Sequence, residues 1–191
     1  AAAASFYSAW RAASGATPRR ARLPQWNAAG SNAAGAGLMI RTSDAPDAPH
    51  FTVYLTGSGG ARLKWRAAAG GPTATADGPA ASPPVWLRIM KFGNEFTAYT
   101  SGDGVGWTQL APAVALPGFP ADYLAGMALT SNSAATAAAT FADADLAPWT
   151  AEPVGAGAAG SAAGSGGGLT LSAAAGDIYG AADSFFYYYR P

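Results

Sequence analysis

Apolar and polar residues alternate with a period of two through much of the chain. In residues 51–56, Phe, Val and Leu alternate with Thr, Tyr and Thr, and in residues 61–67, Ala, Leu and Trp alternate with Arg, Lys and Arg. Successive side chains of a strand point to opposite faces, so this pattern predicts two strands with one buried and one solvated face. The glycine-rich turn at 57–60 makes them antiparallel neighbours, and we expect Leu55 to lie opposite Leu63.

The same register decides which side chains share the solvated face of this hairpin. It places Tyr54 beside Lys64 and Thr52 beside Arg66, on the side that avoids the core. We therefore predict that Tyr54, Lys64 and Arg66 lie together on a surface that solvent and ligands can reach.

Residues 85–101 contain two further strand-like runs, joined by Gly93 and Asn94. Two residues that tolerate positive φ between two such runs predict a tight β-hairpin. The register that this turn sets places Arg88 opposite Tyr99. These two side chains are candidates for the same solvated surface.

A second turn follows directly, because residues 101–104 read Ser-Gly-Asp-Gly and lead into the short apolar run that contains Trp107. Strand, turn, strand, turn and strand predict an antiparallel meander. An aspartate in such a turn accepts hydrogen bonds from nearby backbone N–H groups. We expect Asp103 to hold the turn, with Trp107 packed against the hairpin, rather than to act as a catalyst.

Short strand-like runs recur along the rest of the chain at similar spacing. Gly- and Pro-rich turns separate them, and no helical period occurs anywhere in the 191 residues. This spacing predicts an all-β protein with an antiparallel β-sandwich as its core, placed in residues 1–147. The additional strands are expected at 5–11, 18–26, 37–42, 73–76, 123–131 and 138–146.

The composition changes at residue 148. Residues 148–168 are rich in Ala, Gly and Ser, which predicts a flexible linker. Residues 169–191 then regain strand-forming character and end in an aromatic run, SFFYYYRP (184–191), that SFYSAWRA (5–12) echoes. The segment either completes the same sandwich or opens a further copy in a tandem array, and we favour the first because an aromatic strand needs a sheet to pack against.

Five motifs follow one another over roughly residues 37–146: GLMIR (37–41), APHF (48–51), WLRIMKFGNEFTAYTSGDGVGWT (86–108), LAGMALTS (124–131) and TFADADL (140–146). Their order resembles that of the concanavalin A-like lectin/glucanase jelly-roll modules. The resemblance implies a jelly-roll topology and a location that is extracellular or at the cell surface, with a periplasmic one as an alternative. Such modules are often appended to bacterial glycosidases and surface proteins, which implies a glycan or cell-surface polymer as partner.

Charge and cysteine content narrow the classes of function. The net charge is zero and only 12% of residues are charged, so we expect no nucleic-acid partner. Absence of cysteine excludes disulfides and thiolate chemistry, and no apolar run is long enough for a membrane-spanning segment. Arg19, Arg20 and Arg22 are expected on a solvated edge strand, the alternative being an anion or nucleic-acid contact.

Candidate catalytic groups are sparse, and we predict that the protein is not an enzyme. A glycosidase needs two facing carboxyl groups. The only glutamates are Glu95 and Glu152, and Asp143 and Asp145, although on one strand face, lie in the closing strand. His50 is the only histidine, and without a Gly-x-Ser-x-Gly motif it is expected at a surface or strand edge.

No cofactor is expected, although a structural calcium ion is compatible with the resemblance. Calcium is bound by carboxylate and carbonyl oxygens in such modules. Asp44 and Asp47 in one loop, or Asp177 and Asp183 near the C-terminal strand, are the candidate ligands.

These observations lead to two hypotheses about function. The first is a non-catalytic extracellular module that binds a glycan or another surface through Tyr54, Lys64, Arg66, Arg88 and Tyr99, provided that the two solvated faces adjoin in one sheet. The second is a structural subunit that packs by its sheet and C-terminal strands against the protein subunits of a larger assembly or against its own copies in a repeat array.

Overall fold

The computed structural model describes residues 19–144, 150–165 and 168–190, and the regular elements in these ranges are all β-strands. No helix of the described ranges is long and apolar enough to cross a membrane. The predicted strand at 5–11 lies outside the described residues, as does the sequence SFYSAWRA (5–12) that is similar to the C-terminal run. The strands are β1 Arg19–Asn27, β2 Gly35–Arg41, β3 His50–Thr56, β4 Ala61–Arg66, β5 Ala74–Asp77, β6 Val85–Phe92, β7 Glu95–Ser101, β8 Thr108–Gln109, β9 Val114–Ala115, β10 Leu124–Thr130, β11 Ser133–Ala142, β12 Thr150–Val154, β13 Ala159–Ser165, β14 Gly168–Ala175 and β15 Phe185–Arg190.

The strands form two antiparallel sheets that pack face to face. Sheet A has the order β13-β14-β11-β1-β6-β7-β8, with β9 also paired to β7. Sheet B has the order β12-β15-β10-β2-β3-β4-β5. The predicted fold class, an all-β antiparallel sandwich, is confirmed.

The core lies between the sheets and follows the alternation seen in the sequence. Val53 and Leu63 from sheet B and Leu87 and Ile89 from sheet A are buried in one apolar cluster. Each fully buried side chain of this size contributes about 1.5–3 kcal/mol. Every second residue of β6 therefore points away from the core, to the outer side of sheet A.

The C-terminal strand belongs to the same sandwich. β15 lies inside sheet B, between β10 and β12, and pairs with both. Phe186 from this strand is buried in the main core. Within the described residues, β14 thus adds a strand to sheet A and β15 adds one to sheet B of the same sandwich.

The predicted linker at 148–168 differs from the structure, because β12 and β13 both lie within it. β12 pairs with β15, and β13 pairs with β14 along its whole length. Sheet pairing uses backbone N–H and C=O groups, which Ala, Gly and Ser supply as well as larger residues do. The small side chains of this segment have only a weak preference for strand structure, but its backbone still finds pairing partners in β14 and β15.

The two predicted hairpin registers had different outcomes. Arg88 lies opposite Tyr99 as expected, and Gly93 has a φ of 58°, the geometry that the tight turn requires. In the first hairpin the register is shifted by two residues, since Leu55 lies opposite Ala61. The Thr56 N–H donates to the Gly60 carbonyl at 3.0 Å, which extends the ladder into the turn. A shift of two leaves each side chain on its predicted face.

Candidate functional site

The five predicted site residues lie on two different surfaces. Tyr54, Lys64 and Arg66 point to the outer side of sheet B, whereas Arg88 and Tyr99 point to the outer side of sheet A. The outer sides of a two-sheet sandwich face in opposite directions. The five residues therefore do not form the single binding surface that the first hypothesis required.

The predicted solvated face of sheet B is buried. Tyr54 is 4%, Lys64 5% and Arg66 0% exposed. The connection between β14 and β15, residues 176–184, packs over this face, and Lys64 Nζ donates to Asp177 Oδ1 at 2.9 Å. The alternation along β3 and β4 correctly predicted which side chains point away from the core. It could not predict that a segment more than 100 residues later in the chain covers those side chains.

Arg66 is a structural residue in this fold. Its guanidinium forms a fork with Asp183, with 2.6 Å from Nη2 to Oδ1 and 3.0 Å from Nη1 to Oδ2. Arg41 Nη1 reaches the same carboxylate at 3.4 Å. The remaining Arg66 donors are taken by the Thr73 hydroxyl and by backbone carbonyls on three loops, those of Pro46, Ala48, Gly71 and Gly180. We call Arg41, His50, Arg66 and Asp183 the Asp183 cluster.

His50 is fully buried in the interior strand β3, so the expected surface or edge position was wrong. Asp183, in the segment 176–184, lies on its outer side. His50 Nδ1 lies 3.1 Å from Thr52 Oγ1, and His50 Nε2 lies 3.9 Å from Asp183 Oδ1. Burial, reinforced by the positive charges of Arg41 and Arg66, lowers the pKa of His50 well below its usual value. The imidazole is held neutral within the cluster.

The candidate calcium ligands are engaged elsewhere or do not converge. Asp177 binds Lys64, and Asp183 binds Arg66 and Arg41. Among the described residues, no group of three His, Cys, Asp or Glu side chains comes close enough together to hold a metal ion. The predicted strand-face position of Asp143 was wrong, because β11 ends at Ala142 and Asp143 has a φ of 54°. Asp143 pairs with Arg22 at 2.7 Å, and Asp145 lies outside the described residues.

Glu152 is a second buried acid on the outer side of sheet B. It lies in β12 opposite Tyr187 and is fully buried. Burial raises the pKa of its carboxyl group to about 7, against a smaller lowering by a hydrogen bond with Tyr189. The folded protein therefore binds a proton at this site more strongly than the unfolded chain does.

Replacing Glu152 with Gln is expected to flatten the pH dependence of stability. Because the folded pKa is raised, the contribution of Glu152 is fully present below its unfolded pKa, about 4.3. It is lost as the pH rises towards the folded pKa of about 7. The free energy of unfolding of the variant should exceed that of the parent protein by about 3–4 kcal/mol at pH 8 and match it at pH 4, measured by urea unfolding. Exposed Glu95→Gln is the matched control, and equal pH slopes for parent and Glu152→Gln would contradict the assignment.

The outer side of sheet A carries an accessible cluster of arginine and aromatic side chains. The Arg88 guanidinium lies over two rings, 4.5 Å from the centroid of Tyr99 and 4.1 Å from that of Trp107. The Arg20 guanidinium lies 5.7 Å from the Trp86 ring centroid. Arg20 is exposed and the other four are partly exposed. We call these five residues the arginine–aromatic face.

The turn after β7 holds one side of this face in place. Asp103 Oδ1 accepts hydrogen bonds from the N–H groups of Val105 and Gly106, both at 2.8 Å. These bonds lower the pKa of Asp103, and its predicted role in the turn is confirmed. Gly104 lies so close to Trp86 that a Cβ atom would be 2.8 Å from the ring, so glycine permits the turn to fold against the indole.

Three members of the arginine–aromatic face were absent from the predicted site: Arg20, Trp86 and Trp107, of which Trp107 was expected only to pack against the hairpin. Trp86 lies two residues before Arg88 and shares its side of β6, so period-two alternation contained the signal. Arg20 was grouped with an edge strand, but β1 lies inside sheet A, between β11 and β6, and sets Arg20 directly opposite Arg88. A pairing between strands almost 70 residues apart leaves no local sequence signal.

Comparisons with protein-family models, with curated proteins and with solved structures gave no match. The fold class rests on the strand pairing itself. The resemblance to concanavalin A-like modules stays a prediction, and the candidate function rests on the geometry of the arginine–aromatic face.

Proposed function

We propose that this protein is a non-catalytic recognition module that binds a glycan or another surface polymer through the arginine–aromatic face. The observation that carries the proposal is the position of Arg88 between Tyr99 and Trp107 on an accessible sheet surface. No cofactor is needed for such binding. An extracellular or cell-surface location belongs to the same proposal.

The chemistry of the face suits a polymer lying across a flat sheet. Sugar rings pack their C–H faces on aromatic side chains and accept hydrogen bonds from polar groups at the ring edges. Trp86, Tyr99 and Trp107 supply partly exposed rings, and Gln109, exposed and opposite Tyr99, supplies an amide on the same side. Stacking on the rings holds the Arg88 guanidinium in a defined plane, which reduces the entropy lost on binding.

Replacing Tyr99 with Ala tests the proposal on a glycan array and then by calorimetry with the best ligand found. We expect binding to weaken about three- to tenfold, since an aromatic contact of this kind contributes about 0.5–1.5 kcal/mol. Tyr179→Ala is the matched control, because Tyr179 is 60% exposed but contacts Lys64 of sheet B. Its affinity should equal that of the parent.

Three results would contradict this function. One is an array without any ligand. Another is a ligand whose affinity falls equally in Tyr99→Ala and Tyr179→Ala. The third is a loss of affinity that accompanies a loss of folded structure, which far-UV circular dichroism and thermal unfolding of both variants would reveal.

A second candidate function, a structural subunit of a larger assembly, is favoured by exposed apolar side chains at the end of the β6–β7 hairpin. Phe92 is 77% and Met90 40% exposed, and both lie on the outer side of sheet A. Apolar side chains grouped at one end suit packing against another protein subunit. Sedimentation analysis of Phe92→Ser distinguishes the two functions, because loss of an oligomer in that variant favours assembly.

A further inference from the structure

Two arginines of the arginine–aromatic face form an uncompensated positive pair. Arg20 and Arg88 lie directly opposite each other in the β1–β6 ladder, and both side chains point to the outer side of sheet A. Like charges in this position repel and destabilise the strand pair. A fold that keeps them together needs either a neutralising partner or a ligand that supplies one.

The neutralising partner is not found within the described ranges. Neither Arg20 nor Arg88 makes an ion pair or a conventional hydrogen bond with another described residue, and Arg88 Nε is a buried donor without an acceptor. Arg22, on the same side of β1, differs, because its Nε lies 2.7 Å from Asp143 Oδ2. Arg22 is thus neutralised by Asp143, whereas no described residue supplies an anion to Arg20 and Arg88.

The rings fix these guanidinium groups without using their hydrogen-bond donors. Trp86 lies under Arg20, while Tyr99 and Trp107 lie against Arg88. A cation–π contact involves the face of the guanidinium plane, so the N–H groups at its edge stay available as hydrogen-bond donors. A carboxylate or sulfate group accepts two parallel N–H bonds from such an edge, the geometry in which arginine binds oxyanions most strongly.

We propose that Arg20 and Arg88 form an anion site for an acidic polysaccharide, with its carboxylate or sulfate groups on the arginines and its sugar rings on the neighbouring aromatic side chains. The inference rests on the proposed recognition function and names its ligand class. An acidic glycan carries its charges one sugar or more apart, which suits a single charged pair flanked by rings. Nucleic acids require several phosphates to be neutralised in a row, and the zero net charge of this chain opposes that.

The test uses three polymers: polygalacturonate for carboxylate groups, dextran sulfate for sulfate groups and polyuridylate as a nucleic acid. Binding is measured by calorimetry at about 50 mM and about 300 mM NaCl, because screening weakens ionic contacts. We expect Arg20→Gln/Arg88→Gln to bind the preferred acidic polysaccharide at least about tenfold more weakly at low salt. Arg62→Gln, which removes a cation paired with Asp77 on sheet B, should bind within about twofold of the parent, as expected for distant sites.

Thermal unfolding separates a binding role from a structural one. Removal of a repelling pair offsets the loss of the cation–π contacts, so the melting temperature of the double variant should stay close to that of the parent protein. A lower melting temperature together with lost binding would overturn the assignment and make the arginines structural. Preference for polygalacturonate or for dextran sulfate supports the proposal and identifies the anion.

The remaining outcomes separate this inference from the proposed function. Neutral glycans bound through Tyr99, with neither acidic polysaccharide bound, would overturn the anion site and leave the recognition function standing. If no glycan binds at all, both the anion site and the proposed recognition function are contradicted. Equal binding of an acidic polysaccharide by the parent and the double arginine variant, or tighter binding of polyuridylate, would also overturn the anion site.

Discussion

Replacing Asp183 with Asn is expected to lower the free energy of unfolding by about 3–5 kcal/mol, the usual effect of breaking a buried ion pair. Asp183 carries the only carboxylate that contacts both Arg41 and Arg66 among the described residues, and all three side chains are fully buried. Without its charge, two guanidinium groups stay buried with only neutral acceptors. Urea unfolding at pH 7, followed by circular dichroism, measures the change.

The exposed pair of Asp143 with Arg22 is the matched control. Their side chains are 49% and 41% exposed, and their shortest N–O distance is 2.7 Å. Asp143→Asn should change stability by less than about 1 kcal/mol, because solvent screens a surface pair. Similar losses of stability in Asp143→Asn and Asp183→Asn would contradict the expectation that the buried ion pairs of Asp183 stabilise the fold more than the exposed pair does.

Phe186→Ala is expected to destabilise the protein by about 3–5 kcal/mol, as for other large-to-small changes in a core. Phe186 is 2% exposed and packs in the main cluster between the sheets. Phe92→Ala removes the same atoms from a side chain that is 77% exposed and should change stability by less than about 0.5 kcal/mol. Thermal and urea unfolding of both variants give the comparison.

The Phe186 result also decides between the two origins considered for the C-terminal segment. A strand that opened a further copy of the module would leave this sandwich intact when Phe186 is truncated. Equal stability of Phe186→Ala and the parent protein would therefore contradict the pairing of β15 with β10 and β12.

Local sequence patterns predicted the local structure well. Gly93 and Asn94 set a register that places Arg88 opposite Tyr99, and Asp103 holds the next turn through bonds to residues two and three positions later. Both features depend on a few neighbouring residues, whose conformational preferences the sequence displays directly. The strand at 37–42 was also predicted, and β2 occupies nearly the same residues.

The errors concern contacts between distant segments. Alternation showed that Tyr54 and Lys64 avoid the core, but it cannot show that Asp177, 113 residues after Lys64, covers that side. A buried charge needs a partner of opposite charge. The acidic residues Asp177 and Asp183, in an otherwise uncharged segment, could therefore have been predicted as partners of Lys64 and Arg66. The composition of residues 148–168 likewise hid two strands whose partners are found further along the chain.

The position of β12 constrains the order in which the fold can be completed during synthesis. Within the described residues, β12 pairs only with β15, and β15 begins about 30 residues later in the chain. As the polypeptide is made from its N-terminus, β12 has no partner until β15 has left the ribosome. Sheet B therefore gains both strands in one late step, and until then the edge of β10 is open to pairing with other chains.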